Sequence, residues 1–384
     1  MSKIICKILD DCQYYNSERK TFAQSNWKGN FLLTDKRNPQ IFDAFDRVEH
    51  DTNTNDDDFY FVPFFYLNEG KEKTLDNILN VANGFIQQYK WFFDKKNVWF
   101  LINDMWEPTD HVETFQNVLK TVHPTLKTLL VTANKSLTGR DTIYSNISMK
   151  RFTALDKPID YVGPKLFINL NRVPRFHRCF LIEELHNENL LRLGYNTLAF
   201  KEFPEKFDAY LDEYPNSAIT DQKFDILDVD DFKNENPNDI VPLKHCRKSF
   251  LYITTETVVN SEKLFFSEKT YKPLAIGMPF MLLGNPGTLQ ELREQGFITF
   301  APWWDENYDL DLSLENRVKI ISKNLRKLSE YSVDDLKNIR SEMAEVVDHN
   351  QNLYRALKRK NYLSESIRVF AHKSQLRNFI VDYN

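Results

Sequence analysis

The stretch FFSEKTYKPLAIGMPFMLLGNPGTLQELREQGF, residues 265–297, says most about how this chain folds. Within it, KTYKPLAIG has a helical pattern, PFMLLG is a continuously apolar strand, and TLQELREQG is a helix that Gly296 ends. A buried strand between two helices is typical of a parallel sheet that helices cover on both faces. The SEKT run and the GNPG turn would then lie at the same edge of that sheet.

The same alternation of apolar strands and helices runs along the rest of the chain. Strands are expected at residues 4–9, 59–67, 97–104, 128–134, 195–200, 249–257 and 298–303, and within 165–178, where a strand ends in a basic turn. Helices are expected at residues 74–93, 114–123, 179–194 and over most of 314–360. The pattern restarts near residue 155, and 384 residues exceed one compact core. We therefore predict an α/β protein with two Rossmann-like domains, residues 1–155 and 156–384, separated by a cleft.

Composition indicates a globular protein in a reducing compartment. A net charge of −5 excludes a globally basic nucleic-acid binder, although it allows a local basic groove. The four cysteines form no CxxC pair, so neither a structural zinc site nor a disulfide framework is expected. The N-terminus lacks a signal-peptide pattern, and the longest apolar run, residues 274–284, is shorter than the about 20 residues that span a bilayer. We expect a cytoplasmic protein with no membrane partner.

Residues 171–178, Asn-Arg-Val-Pro-Arg-Phe-His-Arg, form a basic segment directly after a predicted strand. Its cationic and imidazole side chains are Arg172, Arg175, His177 and Arg178. Arginine forks bind phosphate oxygens in pairs, and the N-terminus of the following helix favours anions. These residues therefore predict a phosphate site. The alternative is a solvated basic turn with ordinary salt bridges.

Residues 267–270, the Ser267 segment, combine Glu268, Lys269 and Thr270 behind a serine. The carboxylate could accept hydrogen bonds from both ribose hydroxyls while the lysine neutralises a phosphate. Alternatively, Ser267 caps a helix whose first turn favours an acidic residue. Both interpretations can hold together.

Residues 284–287, the glycine turn, place Gly284, Asn285 and Gly287 between a strand and a helix. Backbone N–H groups in such a turn can meet a phosphate or a sugar. The turn matches neither GxGxxG nor a Walker sequence, which disfavours NAD-dependent enzymes and kinases. An ordinary turn remains the alternative.

Residues 303–306, the tryptophan segment, are Trp303, Trp304, Asp305 and Glu306. Aromatic rings beside carboxylates could hold a sugar, with the ring packed on CH groups and the acids bound to hydroxyls. The alternative is a loop of packed aromatic residues.

The N-terminal half has acidic residues at the predicted strand ends, namely Asp10, Asp11, Asp104 and Glu107. A transferase needs a base that removes the proton of the acceptor hydroxyl, and one of these four is the candidate. Nothing in the sequence selects among them.

Two D-x-D patterns, Asp228/Asp230 and Asp309/Asp311, match a metal motif of some sugar transferases. The pattern is short in an acid-rich chain, and several cations can stabilise a diphosphate leaving group without a metal. No essential metal is therefore predicted.

Three blocks then occur in a recognisable order: KLFINLNRVPRFHR, FFSEKTYKPLAIGMPFMLLGNPGTLQELREQGFITF about ninety residues later, and WDENYD. Together they resemble glycosyltransferases that are common in the genomes of bacteriophages and large viruses. The second half is similar to the nucleotide-binding domain of exostosin-like transferases and α-fucosyltransferases, in which a strand, a Glu-Lys pair and the following helix hold the nucleotide. The resemblance spans about residues 160–310.

The resemblance implies a GT-B architecture, in which the C-terminal domain binds the sugar donor and the N-terminal domain binds the acceptor. Carried over to this sequence, it implies that Arg172, Arg175, Arg178 and Lys269 bind the diphosphate and that Glu268 binds the ribose. The implied co-substrate is a nucleoside-diphosphate sugar, with UDP as the expected nucleotide.

Some bacteriophage enzymes of this kind transfer glucose or arabinose to 5-hydroxymethylcytosine in DNA. Residues 355–377 contain seven Lys and Arg residues and one acidic residue, a composition that would neutralise phosphates along a duplex. An ordinary solvated helix face would have the same composition.

The resulting hypothesis is a glycosyltransferase that moves a sugar from a nucleoside diphosphate to hydroxymethylcytosine in phage DNA, in the host cytoplasm and with inversion. One alternative is the same chemistry on a glycan or a protein. Another is a non-catalytic protein that binds nucleotide sugars. A phosphorylase is a further option, although no lysine motif for a pyridoxal cofactor is present.

Overall fold

A computed structural model describes residues 3–7, 15–16, 21–22, 45–49, 51–65, 75–104, 112–137, 141–145, 149, 152–200, 202–217, 219, 241–261, 264–359 and 362–381. The chain divides into two compact units, Met1–Ile147 with Lys360–Asn384, and Ser148–Arg359. The sequence placed the boundary at residue 155 and left the C-terminal helices in the second domain.

The first unit has a six-stranded sheet with the order β4-β1-β5-β6-β7-β8, in which all described pairings are parallel. Its strands are β1 (Ile4–Lys7), β4 (Arg47–Glu49), β5 (Phe59–Phe65), β6 (Val98–Asp104), β7 (Thr128–Thr132) and β8 (Thr142–Tyr144). Between β1 and β4, β2 (Tyr15–Asn16) and β3 (Thr21–Phe22) form an antiparallel pair. Its helices are α1 (Leu75–Gln88), α2 (Lys90–Phe93), α3 (Val112–Val122) and α12 (Tyr362–Val381).

Helices cover both faces of this sheet, as its apolar strands predict. Along β6, Trp99 and Leu101 belong to one buried cluster, whereas Phe100 belongs to the other. The first cluster includes residues of α12, and the second includes residues of α1 and α3. Strands buried on both faces need an apolar helix on each side, and α12 supplies the second one. That requirement explains why α12 belongs to the first unit although it follows the second in the sequence.

The second unit has a four-stranded parallel sheet with the order β10-β9-β11-β12. Its strands are β9 (Lys165–Leu170), β10 (Gly194–Thr197), β11 (Ser249–Thr255) and β12 (Phe280–Leu283). Its helices are α4 (Phe176–Asn187), α5 (Pro204–Glu213), α6 (Leu243–Arg247), α7 (Glu268–Ile276), α8 (Thr288–Glu294), α9 (Leu314–Ser329), α10 (Val333–Glu342) and α11 (Ala344–Arg359). All seven residues of β11 are buried, so this strand lies in the middle of the core.

One predicted strand is wrong. Residues 298–303 contain no strand, because their backbone pairs with side chains instead of a sheet edge. The Ile298 N–H donates to Asn350 Oδ1 at 2.8 Å, and Asn350 Nδ2 donates to the Ile298 carbonyl at 2.7 Å. The predicted end of the preceding helix is confirmed: Gly296 has φ +93°, which an L side chain rarely adopts.

The fold is therefore mixed α/β with two parallel sheets, which is compatible with two Rossmann-like domains. Among the described helices, none is both long and apolar enough to cross a membrane.

Candidate functional site

In the second unit, the segments that follow β9, β11 and β12 start at the carboxyl edge of the same sheet, where open parallel sheets bind ligands. The basic segment follows β9, and the glycine turn follows β12. Glu256 and Thr257, here called the Glu256 turn, follow β11 between them.

The basic segment reaches the Glu256 turn through three side chains. Arg175 Nη1 donates to the Thr257 carbonyl at 3.2 Å, and His177 Nε2 donates to the Glu256 carbonyl at 2.8 Å. Arg178, which is buried, donates through Nη2 to the Glu256 carbonyl at 3.4 Å. Two of the predicted phosphate-binding arginines therefore lie beside the end of β11.

The Ser267 segment reaches the same turn from the other side. Lys269 Nζ lies 3.3 Å from Thr257 Oγ1 and 2.7 Å from Glu268 Oε1. The side chains of Lys269 and Glu268 are 18% and 11% exposed, so both are accessible but largely enclosed. Ser267 also caps α7, since its Oγ accepts the Lys269 N–H at 3.3 Å. The functional and the capping interpretations of this segment are thus compatible.

The Glu256 carboxylate lies beneath this arrangement, with no exposed surface. It accepts the N–H of Ser267 at 3.1 and 3.2 Å, the N–H of Thr257 at 3.1 Å, and the hydroxyl of Thr270. Thr270, which the sequence assigned to the donor site, therefore supports a buried carboxylate. Hydrogen bonds to a charged group inside a protein are among the strong ones, so this carboxylate fixes the start of α7 against the end of β11.

His177 is neutral in this setting. Burial holds the pKa of the His177 imidazole well below its usual range, and the nearby charges of Arg178 and Arg175 lower it further. Since a carbonyl oxygen only accepts, Nε2 carries the proton that binds Glu256. His177 therefore positions the turn and contributes no positive charge, which the arginines and Lys269 supply.

Arg172 is not brought to this cluster. Its Nε donates to Glu202 Oε2 at 2.9 Å in an exposed ion pair, and its guanidinium lies over the ring of Phe203. For this one arginine of the basic segment, the geometry fits the ordinary salt bridge.

The glycine turn leads into the first turn of α8, whose N–H groups bind a carboxylate of the protein itself. The N–H groups of Leu289 and Gln290 donate to Asp309 Oδ1 at 2.8 Å and Oδ2 at 3.1 Å, and the Gly287 N–H donates to the Asp309 carbonyl at 2.7 Å. Gly287 has φ +83°, as this tight turn requires. The N-terminus of α8 is thus capped internally, in the position where the sequence predicted a phosphate or sugar.

The other two residues of the glycine turn face their own neighbours. Asn285 Oδ1 accepts the Ser261 N–H at 2.9 Å, and the Gly284 carbonyl accepts a hydrogen bond from Arg317. Buried Arg317, from α9, also donates to the Val259 carbonyl at 2.7 Å. It thereby ties the loop after β11 to the loop after β12.

The tryptophan segment packs into the second unit. Trp304 is buried and stacks on Phe300 with 5.2 Å between ring centroids. Glu306 accepts the Phe300 N–H at 2.7 Å and pairs with Arg293 at 3.2 Å, and burial raises the pKa of its carboxyl group. The alternative of packed aromatic residues fits these contacts better than a sugar site.

The remaining members of the tryptophan segment are also engaged with neighbours. Asp305 Oδ1 accepts the Asn307 N–H at 2.9 Å, and its backbone exchanges hydrogen bonds with Asn324. Trp303 is partly buried against the core, 6.1 Å from the Phe300 ring.

Of the four candidate bases, Asp104 lies within the described residues. It is the last residue of β6 and pairs with Thr132 of β7, so it lies at the carboxyl edge of the first sheet, as predicted. Asp10, Asp11 and Glu107 lie outside the described residues, as do Asp228 and Asp230.

The same edge of the first sheet has an ion-pair cluster around a buried lysine that was not among the predicted site residues. Lys7, the last residue of β1, has no exposed side-chain surface and places Nζ 2.6 Å from both Glu49 and Asp51. The hydrogen bond from Lys7 lowers the pKa of the Asp51 carboxyl. Both carboxylates are thus bound to a cation, which favours a structural role.

Glu256, Thr257 and Arg317 were also not among the predicted site residues. A signal for the first two was present, because the apolar strand ends in the polar run Thr-Thr-Glu-Thr at residues 254–257. No sequence pattern marks Arg317, an arginine inside an amphipathic helix.

Comparison with known proteins adds no relative: no protein-family model matches the chain, and no curated protein matches its sequence.

Proposed function

We propose that the second unit binds a nucleoside-diphosphate sugar at the Glu256 turn and that the protein is a glycosyltransferase. The observation that supports this most is the convergence of the basic segment and the Ser267 segment. Arg175 and Lys269, 94 positions apart in sequence (269 − 175), both hydrogen-bond to Thr257 at the carboxyl edge of a parallel sheet.

The chemistry of the two cations suits a diphosphate. Arg175 bonds to the carbonyl of Thr257 and Lys269 to its hydroxyl, so the cations flank one residue. A diphosphate presents two neighbouring anionic groups, and an arginine fork beside a lysine can bind both. The same cations would stabilise the negative charge that develops on the leaving diphosphate, and in this proposal no metal is required for that step.

Glu268 would bind the ribose. Its carboxylate lies 2.7 Å from Lys269 Nζ and is 11% exposed. A carboxylate held beside the phosphate-binding lysine is well placed to accept hydrogen bonds from two sugar hydroxyls. A nucleotide would thus be recognised by adjacent residues of one helix N-terminus.

For the reaction, an acceptor hydroxyl would attack the anomeric carbon while the bond to the diphosphate breaks, with inversion. A carboxylate of the first unit would take the hydroxyl proton, and Asp104 is the described candidate because it ends β6 at the carboxyl edge of a parallel sheet. Two Rossmann-like units with such edges are the components of a GT-B enzyme, which is the architecture we propose.

We propose 5-hydroxymethylcytosine in phage DNA as the acceptor, with a glycan or protein as the alternative. This choice depends on the sequence resemblance. Residues 355–377 are divided between the units, and several of their cations have partners within their own unit. Lys358 and Arg355 donate to the carbonyls of Phe152 and Leu155, and Arg368 pairs with Asp46. A DNA surface would therefore need cations beyond this stretch.

The test is a panel of UDP- and GDP-sugars, scored first by thermal stabilisation of the protein and then by transfer to duplex DNA containing hydroxymethylcytosine. Mass analysis of the nucleosides should show the base heavier by one sugar. Stabilisation without transfer to DNA would move the acceptor to a glycan or protein. Donor hydrolysis without acceptor would separate an enzyme from a pure binding protein, which should release no UDP. No stabilisation by any nucleotide sugar would overturn the proposal.

A further inference from the structure

Glu256 is the most enclosed charged group at the candidate site. Its carboxylate is fully buried, and its four hydrogen bonds within the described part of the chain come from neutral donors. Two of the donors belong to Ser267 and Thr270, at the start of α7. Moving a carboxylate out of water is costly even when it is hydrogen-bonded, so a carboxylate kept here in place of an apolar residue points to a specific task.

The carboxylate already lies where the start of α7 would attract an anion. Helix N-termini favour negative charge, and here Glu256 takes the Ser267 N–H with both oxygens. A ligand phosphate would therefore be bound by the side chains above this position. Those side chains are Lys269 and Arg175, which contact Thr257, the residue next to Glu256.

Glu256 also joins the two segments that supply these cations. Its carboxylate holds the Ser267 segment, while its carbonyl accepts His177 and Arg178 of the basic segment. A shift of this one residue would move Lys269 relative to Arg175.

We propose that Glu256 is a positioning residue for the diphosphate: it holds the Ser267 segment so that Lys269 and Arg175 engage one ligand together. This inference rests on the proposed nucleotide-sugar function. It assigns Glu256 no direct contact with the ligand, so its effect on binding must pass through Lys269.

A double-mutant cycle tests that dependence. Glu256→Gln keeps the size of the side chain but turns one acceptor oxygen into an NH₂ group, which faces an N–H or hydroxyl donor. Binding of UDP and of inorganic pyrophosphate is measured calorimetrically for wild type, Glu256→Gln, Lys269→Ala and the double variant. Each single substitution should weaken ligand binding about tenfold or more. The affinity of the double variant should lie within about twofold of that of the single variant that binds more weakly.

The positioning role would be overturned if the losses of affinity from the two substitutions multiplied in the double variant. It would also be overturned if Glu256→Gln bound UDP with wild-type affinity. Ser332→Ala serves as the stability control. Ser332 caps α10, so its replacement should lower the unfolding temperature without changing the affinity for UDP. If Glu256→Gln does not fold, Thr270→Val removes one hydrogen bond from the same carboxylate and should give a smaller effect that again fails to multiply with Lys269→Ala. A wild-type protein that binds neither UDP nor pyrophosphate would instead reject the proposed function, and this inference with it.

Discussion

The helices α7 and α8 both start at the carboxyl edge of the second sheet, and a carboxylate of the protein binds the N-terminus of each. At α7 that carboxylate is Glu256, and at α8 it is Asp309. The difference lies in what surrounds each cap. The start of α7 has the partly exposed side chains of Lys269 and Glu268, whereas the α8 turn is tied to Arg317, which is buried.

A helix N-terminus in a parallel sheet is therefore a poor guide to a ligand site by itself. The N-termini of α7 and α8 both favour anions, yet N–H groups at each already bind a carboxylate of the protein. The side chains decide which of the two can also hold a ligand.

The largest expected effect is on stability, at the α8 cap. Asp309→Ala removes two hydrogen bonds to a buried carboxylate and leaves the N–H groups of Leu289 and Gln290 without that acceptor. We expect the free energy of unfolding to fall by about 3 kcal/mol, as measured by circular dichroism during denaturant unfolding. Affinity for UDP should stay unchanged in the folded variant.

Asp311→Ala is the matched control from the same D-x-D pair. Asp311 is only partly buried and accepts the Ser313 N–H at 2.8 Å, so its loss should cost about 1 kcal/mol or less. Equal losses in both variants would contradict the assignment of Asp309 as the main cap.

The second-largest expected effect is on ligand binding, at the Glu256 turn beside the start of α7. Lys269→Ala and Arg175→Ala should each weaken UDP binding about 10- to 100-fold, because each removes a charged hydrogen bond to phosphate. The unfolding temperature should change little for Lys269→Ala. Calorimetric titration measures the affinity.

Arg172→Ala is the control for that experiment. Its exposed pair with Glu202 predicts UDP affinity within about twofold of wild type and a stability change below about 1 kcal/mol. If Arg172→Ala lost as much affinity as Arg175→Ala, the whole basic segment would belong to the site.

A pH effect should come from His177, which binds the Glu256 turn. Its folded pKa lies well below the unfolded value of about 6.5, because burial and Arg178 disfavour the cation. Below that pH the unfolded chain takes up a proton that the folded chain does not. The contribution of His177 to the free energy of unfolding should therefore be fully present above about pH 6.5. On acidification this contribution should fall by at most about 1.4 kcal/mol per pH unit.

The measurement compares the unfolding free energy at pH 7.5, 6.5 and 5.5 for wild type and His177→Gln. The variant lacks the titrating imidazole, so its curve should be flatter between pH 6.5 and 5.5. An unchanged slope would show that other groups cause the acid sensitivity.

The smallest expected effect is at Ser267 itself. Ser267→Ala should cost only about 0.5 kcal/mol, because Glu256 still binds the Ser267 backbone N–H after the cap hydroxyl is lost. Ser313→Ala, at the cap of α9, provides the comparison and should cost about 1 kcal/mol. A larger loss at Ser267 would mean that its hydroxyl, and not Glu256, holds the turn.

Much of this architecture follows from hydrophobic patterning. Predicted strands such as residues 97–104 and 249–257 are strands because continuous apolar runs can be buried on both faces of a sheet. Residues 298–303 look similar, but Asn350 of α11 takes both backbone hydrogen bonds of Ile298, and Glu306 takes the Phe300 N–H. The local hydrophobic pattern does not show that side chains from elsewhere in the chain will take backbone hydrogen bonds that a neighbouring strand would otherwise form.

The candidate site was predictable in part for the same reason. The basic segment and the Ser267 segment stand out by composition, and parallel topology brings strand ends to one edge. Glu256 and Arg317 were missed because their roles depend on partners elsewhere in the unit. Arg317 contacts Val259 and Gly284, which lie 58 and 33 positions away in sequence.

The α/β class, the parallel strands and the two charged segments could be predicted from the sequence, since these depend on local periodicity and residue type. Which of those charges meet depends on the tertiary structure. It placed Arg175 and Lys269 on one threonine and directed Arg172 to Glu202. It also moved α12 to the first unit, where a sheet face needed cover. Hydrogen-bond and charge partners are selected by distance in space, whereas hydrophobic patterning shows only which face of an element is apolar.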